Sequence, residues 1–280
     1  MLTATRDGEQ VTRAEQAPLA SWRRRRRVNR IAAVVLPVIL AVAGAVAWQV
    51  AATAASGGSV LIPTFTDFAG AVVRLLASSA FWMAMWTSQS ALLVGFAIAV
   101  VVGVPLGLYV GRHKTLDGLL SGYLDIAVVT PTAVFMPLVI VVLGPTFWAR
   151  VVVIVVFALP FVVVPCRTGS ATAPAPLIAM TRSYGGTAGA VWREVVLPAS
   201  VPAIFTGLRQ GLAHALTGMI LVELTFLAVG IGRLIQDSQA EFDAASVFGV
   251  TFLIIMEGVV LMALLQRAQD RLSGQWRAKA

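Results

Sequence analysis

Residues 176–198, PLIAMTRSYGGTAGAVWREVVLP, form a short semi-polar island between long apolar runs. The island places Gly185-Gly186 ahead of Val195 and the pair Leu197-Pro198. Everything on either side reads as membrane, so the island is expected outside the bilayer. The fold follows from what surrounds it.

Hydrophobic residues make up 58% of the 280-residue chain and charged residues only 12%. Soluble domains carry about 25% charged residues, which excludes an ordinary water-soluble globule. Crossing a hydrocarbon core takes about 20 apolar residues, and the lipid-exposed backbone must satisfy its own hydrogen bonds, so spans are helices or closed barrels. The apolar runs are continuous rather than alternating, which predicts an all-α membrane protein. Six spans are expected, over 31–55, 83–110, 122–143, 149–164, 202–229 and 245–265. The expected organisation is a basic tail (1–30), a first span (31–55) and an external segment (56–82). A transmembrane core (83–268) carrying the island as segment 174–200 and a basic tail (269–280) complete it.

Orientation follows from the arginines and lysines, which favour cytoplasmic loops. Arg23–Arg27, Arg112, Lys114, Arg167, Arg182, Arg193, Arg267 and Arg271 fall on one side, and Arg74, Arg150 and Arg233 on the other. Both termini and the island are therefore expected in the cytoplasm, and the net charge of +8 is accounted for by topology. No basic fold accompanies the arginine run, so nucleic acid is not an expected partner. The apolar run ending at Ala52-Thr53-Ala54 is longer than a signal-peptide core of roughly 7–15 residues and is expected to stay as a span.

Cys166 is alone, and His113 and His214 are the only histidines, so neither a disulfide within the chain nor a His/Cys metal site is expected. Phosphate loops, dinucleotide fingerprints, nucleophile elbows and zinc-protease motifs are absent. No catalytic residue is expected, and any energy from ATP has to come from another protein.

Gly95, Gly103, Gly107 and Gly111 share one face of the second span. Such a stripe allows close helix packing, or else a moving interface along a pathway; Pro105 within it is expected to kink the helix or widen its turn. Thr130-Pro131-Thr132 and Met136-Pro137 should break the third span, where irregular backbone must be buried in protein or line a cavity. Ionisable residues inside spans mark function or fix helices. The candidates are Asp125, His214, Glu223 and Glu257, with Glu223 and Glu257 favoured as helix-fixing groups. Residues Ser90, Thr130, Pro131, Thr132, Phe135, Pro137, His214 and Glu223 are candidates for lining a pathway.

The island resembles the "EAA" signature of integral membrane subunits of type I ABC importers: Glu-Ala-Ala, three residues, Gly, nine residues, Ile-x-Leu-Pro. Counting from Gly185, the acidic position is Ala179 and the two alanines are Met180 and Thr181, while Val195, Val196, Leu197 and Pro198 fit the closing element. Pro131, Val134 and Pro137-Leu138, then Gly207-Leu208-Arg209, Glu223 and Gly230-Ile231-Gly232 resemble the aliphatic sulfonate/nitrate/taurine permease branch.

That resemblance implies the type I permease fold and a binding-protein-dependent importer in a prokaryotic cell membrane. It implies a permease homodimer, a cytoplasmic ATPase dimer that binds ATP and Mg itself, and an extracytoplasmic solute-binding protein. The implied coupling residues are Ala179, Met180, Thr181, Arg182, Ser183, Tyr184, Gly185, Gly186, Thr187, Ala188, Leu197 and Pro198, with Tyr184 as the interface anchor. Gly185-Gly186 are expected to turn sharply between two short helices. The implied solute is a small sulfonate-, nitrate- or taurine-like anion, with a vitamin-like or aromatic solute, or a secondary transporter, as alternatives.

Overall fold

The structure, a computed structural model, describes residues 39–40, 42–54 and 62–277, with side chains described through 271. The expected basic tail 1–30 and the first eight residues of the span 31–55 lie outside the described residues, as does the C-terminus from 278. The chain divides into two compact units, Met1–Asp67 and Phe68–Ala280. In the first, helix α1 (Val42–Ala54) is apolar but shorter than a span. The Trp48 indole N–H donates to the Pro63 carbonyl at 3.1 Å, and the Gln49 side chain accepts from the Thr66 amide at 3.2 Å.

Helix α2 (Phe65–Ala77) begins at the junction of the units. The second unit then runs through α3 (Ser79–Arg112), α4 (Lys114–Val129), a 3₁₀ turn (Thr132–Phe135), α5 (Met136–Leu143) and α6 (Phe147–Ala171). It continues through α7 (Ala175–Ser183), α8 (Ala188–Val191), α9 (Leu197–Val222), α10 (Gly230–Ala240) and α11 (Ala244–Arg277). Among the described residues there is no strand. Among the described residues, four stretches are long and apolar enough to cross a membrane: Ser79–Arg112, Phe147–Ala171, Ala188–Leu227 and Ala244–Arg271. The pair Lys114–Val129 and Thr132–Leu143, bent by 90°, makes a fifth if counted as one span.

These spans differ from the expected ones at their ends. The fourth runs on to Ala171 because Pro160 and Pro165 are accommodated inside the helix, as buried helices in membranes allow. The fifth is continuous from Ala188 instead of starting at Pro202. Pro198 sits in the first turn of α9, where its missing N–H costs little, and Pro202 lies inside the helix without ending it. The segment 56–82 carries α2, and the polar stretch 237–243 is the end of α10 and the cap of α11.

The core is three helices with α6 in the middle. Lipid supplies no hydrophobic drive between helices, so close van der Waals packing must hold them together. The glycine stripe of α3 does this: a Cβ on Gly95 would lie 2.6 Å from Ile154, on Gly103 3.0 Å from Val162, and on Gly107 2.5 Å from the Val163 carbonyl. The helix-packing reading of the stripe therefore holds. Helix α3 continues through Pro105. On its other side α6 meets a second set of glycines from α9, where Cβ atoms on Gly207 and Gly218 would lie 2.9 Å and 2.8 Å from Val162 and Phe157. Ala91, Leu92, Ala99, Val151, Ile154, Ala158, Ala215 and Met219 fill the space between the three helices.

Candidate functional site

The island folds as two short helices around a glycine turn. Pro174 precedes α7 and Pro176 lies in its first turn, where proline is preorganised for a helix. The helix ends in a Schellman turn. Gly186 N–H donates to the Thr181 carbonyl at 2.9 Å and Gly185 N–H to the Arg182 carbonyl at 3.0 Å, with Gly185 at φ 78°. Gly185 is needed for that left-handed conformation. Gly186 is needed for space, since a Cβ there would lie 2.6 Å from the Thr181 carbonyl. Thr187 then caps α8, its hydroxyl accepting from the Ala190 amide at 3.3 Å.

This hairpin carries a core of its own. Ala173, Ile178, Val191, Val195 and Val196 are buried together, with Trp192 packed against them. Val195 and Val196 thus face inward and secure the segment, whereas Ala179, Met180, Arg182, Ser183, Tyr184, Gly185, Thr187, Ala188 and Leu197 are exposed. Thr181, Gly186 and Pro198 are half-buried. Tyr184 stands 84% exposed at the turn. Ala179, the position where the signature has its acid, is exposed as well.

A second group gathers at the broken span. Pro131 has no N–H to answer the Ala127 carbonyl, and Thr130 closes the end of α4 by donating both its amide (2.8 Å) and its hydroxyl (2.7 Å) to the Ile126 carbonyl. A 3₁₀ turn from Thr132 to Phe135 then redirects the chain into α5, with Pro137 in its first turn. Met136 is buried with Val153, Phe157 and Val222, while Pro131, Phe135 and Pro137 stay exposed. His214 stacks flat on Phe161, centroids 3.4 Å apart. With Gln210, Val128 and Val164 they line a pocket of about 290 Å³. Val128 belongs to the last turn of α4, so the structure brings His214 to the break. The Ser90 hydroxyl is occupied by the Thr87 carbonyl at 2.9 Å.

Glu223 belongs to neither group. It is fully buried in a five-residue π-turn, Glu223–Leu227, that ends α9. The Ser88 hydroxyl donates to its Oε2 at 2.6 Å, the Arg150 guanidinium to its Oε1 at 3.1 Å, and the Gly232 amide to Oε2 at 3.4 Å. Ser88 in turn accepts from the Ile231 amide at 2.9 Å. The carboxylate is thus held by an arginine of α6, a serine of α3 and the N-terminal amides of α10, where the helix dipole favours an anion. Gly230 (φ 57°) and Gly232 leave room for it: a Cβ on Gly230 would run into the Ser88 hydroxyl, and one on Gly232 would lie 2.5 Å from the Glu223 backbone.

Arg150, expected at the external end of the fourth span (149–164), is therefore a buried partner that sequence reasoning missed. The one available signal was its position at the start of an apolar run, four residues after Thr146. Thr146 accepts the Ala149 amide and so starts α6 just ahead of Arg150. The other intramembrane acid, Glu257 of α11, accepts from the Gln89 side chain of α3, and its second oxygen is buried without a hydrogen-bond partner. Both acids thus bridge helices. Asp125 of α4 is exposed. Among the described residues no three His, Cys, Asp or Glu side chains gather as a metal site would require.

A match to the family described as "Binding-protein-dependent transport system inner membrane component" spans residues 103–277. The chain is 28% identical over 223 residues to a protein of Brucella abortus named "Probable ABC transporter permease protein", covering 80% of this chain and 89% of the other. It is 25% identical to the taurine transport system permease protein TauC of Escherichia coli, covering 71% and 72%. It is also 28% identical to the riboflavin transport system permease protein RibX of Chloroflexus aurantiacus, covering 79% and 83%. Among solved structures, an inward-facing MetNI methionine ABC transporter superposes with a TM-score of 0.56 at 23% identity, covering 70% of this chain and 95% of that one.

Proposed function

Because the chain belongs to the family of binding-protein-dependent transport system inner membrane components, we propose that it forms the solute pathway, that residues 179–188 dock the partner ATPase, and that Leu197 and Pro198 couple this segment to α9. It is a multi-pass inner-membrane permease subunit of an ABC importer, with the type I permease fold, and the ATPase site is on a separate chain. The observation that carries the docking assignment is the hairpin itself: two short helices on their own small core, presenting Tyr184 and an exposed face.

The proposed partners are a cytoplasmic ATPase dimer, an extracytoplasmic solute-binding protein and a second copy of the chain. Helix α4 supports the last of these, because it has no buried side chain of its own. The proposed pathway includes Ser90, Thr130, Pro131, Thr132, Phe135, Pro137 and His214, together with Glu223 as the group that holds its outer walls. The solute is proposed to be a small sulfonate-, nitrate- or taurine-like anion, supported by the likeness to TauC. A vitamin-like or aromatic solute is the second reading, supported by the flat Phe161–His214 face and the likeness to RibX. Uptake of labelled taurine and nitrate against riboflavin, with the cognate binding protein present, separates the two.

Gly185→Val tests the docking. A β-branched residue at φ 78° costs roughly 1–2 kcal/mol locally and should misplace Tyr184 while leaving insertion intact. Tyr184→Ala should weaken ATPase retention by at least about thirtyfold, as loss of an interface anchor does. Both are read by ATPase co-purification and ATP-driven uptake. Wild-type values in both variants would refute the assignment.

A further inference from the structure

Beside the hairpin, an open groove of about 630 Å³ is lined by Pro105, Leu106, Leu108 and Tyr109 of α3 and by Trp192 and Leu197. Its lining is apolar throughout. Trp192 and Leu197 come to one wall because residues 192–196 form a π-turn, in which the Leu197 N–H bonds the Trp192 carbonyl. Leu106, Tyr109 and Leu197 are exposed, so the groove opens outward from a membrane span.

Basic residues adjoin the groove's lining along the chain. Positions 105, 108, 109 and 112 share one helical face, so Arg112 stands one turn beyond the lining on the same stripe. Lys114 follows it, and Arg193 is next to Trp192. Among the described residues, the ion pairs use Arg150, Arg167 and Arg233, which leaves Arg112, Lys114 and Arg193 outside any ion pair. The nearby carboxylate Asp117 is taken by Arg167. Glu194, which follows Arg193 in the chain, is likewise in none of these ion pairs.

We propose that this groove binds an anionic phospholipid, with an acyl chain along Leu106, Leu108 and Leu197 and the headgroup phosphate on Arg112, Lys114 and Arg193. An apolar trough opening from a span, with unpaired cations adjoining its lining along the chain, complements a molecule that has an apolar tail and an anionic head. Basic pockets between membrane helices recognise lipid headgroups by the same logic. A second protein chain would need polar partners for these cations as well as an apolar ridge. Tyr109 and Trp192 are of the aromatic types that favour the membrane–water interface.

The site has a mechanical consequence. Trp192 packs against the hairpin core around Ile178 and Val191 and also against the Leu108, Val162 and Cys166 cluster of the bundle. A lipid on the Trp192–Leu197 wall therefore braces the joint between hairpin and bundle.

The test is native mass spectrometry of the full-length chain released from nanodiscs that contain equal phosphatidylglycerol and phosphatidylcholine. Wild type should retain phosphatidylglycerol selectively. Each interfacial arginine contributes about a fivefold preference, so the double variant Arg112→Gln/Arg193→Gln should lose roughly thirtyfold. Leu106→Trp, which fills the groove and leaves the cations in place, should abolish retention of either lipid. Equal retention of both lipids by wild type, retention of neither, undiminished selectivity in the double variant, or lipid still held by Leu106→Trp would each overturn the proposal. A helix of a second copy seated in the groove would appear as a lipid-free dimer and would equally overturn it.

Discussion

The buried pair Arg150–Glu223 gives a sharp test of how the bundle is held. Its nitrogen and oxygen are 3.1 Å apart, with the side chains 9% and 0% exposed. Removing one partner leaves the other charged and buried, which costs about 3–5 kcal/mol. Glu223→Leu and Arg150→Met should therefore each destabilise the chain by that amount. Independent sites would add to about 6–10 kcal/mol in the double variant. The double variant should instead lose no more than about 2 kcal/mol, because replacing a whole buried pair with apolar side chains of similar volume is often neutral. Glu223→Gln keeps a partner for Ser88 and the Gly232 amide but not the charge, so it should fall between wild type and Glu223→Leu. Denaturant unfolding of the detergent-solubilised chain measures all four. Additive losses in the double variant, or a Glu223→Leu cost below about 1 kcal/mol, would refute the reading that pairing, rather than packing, holds α3, α6, α9 and α10 together.

The α3–α6 contact predicts that Gly107→Val destabilises by roughly 1–3 kcal/mol, as overpacking does, because its new Cβ meets the Val163 backbone at 2.5 Å. Gly118→Ala on α4, where a Cβ meets nothing within 4 Å, should be neutral or stabilising by up to about 1 kcal/mol; thermal melts of the two variants check the contrast. Asp243 caps α11 by accepting the Ser246 amide at 3.1 Å and the Ser246 hydroxyl at 2.5 Å, and these bonds hold its carboxyl below the usual carboxylate range. A depressed carboxyl stabilises the fold above its unfolded pKa of about 3.9 and loses that contribution as pH falls through the folded value. Asp243→Ala should therefore cost about 0.5–2 kcal/mol at neutral pH and flatten the stability profile below pH ~4. A profile in the variant as steep as wild type's would count against the cap.

What was legible in the sequence was local. The glycine turn at 185–186 could be read because a left-handed residue and a close carbonyl contact demand glycine whatever surrounds them. The break at Pro131 could be read because a missing N–H has no remedy within the helix. The stripe from Gly95 to Gly111 could be read because helical spacing puts those residues on one face, although only the structure names α6 as what lies against it. The pairings that hold the bundle were not legible. Ser88 and Glu223 are 135 residues apart, and Arg150 and Glu223 are 73 apart. No local rule relates residues at such separations, and an arginine at a span boundary ordinarily reads as a loop residue. The start of the fifth span was misplaced for the opposite reason. Proline was taken as a boundary at Pro202, yet the helix already runs through it.

These packing differences divide the second unit into parts with different mechanical character. Helices α3, α6 and α9 approach at glycines along much of their length and share one buried cluster, so they resist relative sliding. The hairpin joins that body without a hinge, since α8, the π-turn and α9 form one continuous apolar helix and Trp192 packs on both cores. A push on Tyr184 is therefore delivered to the foot of α9 instead of being absorbed in a loop. The bent pair α4–α5 is the opposite case. Helix α4 buries no side chain, Val129 at its end is 83% exposed, and Pro131 has no N–H to offer the Ala127 carbonyl. Few buried contacts mean little free energy opposing displacement. On the proposed docking, the rigid part would carry the stroke from the ATPase and the weakly held part would change which side the His214 pocket faces, the combination that alternating access needs.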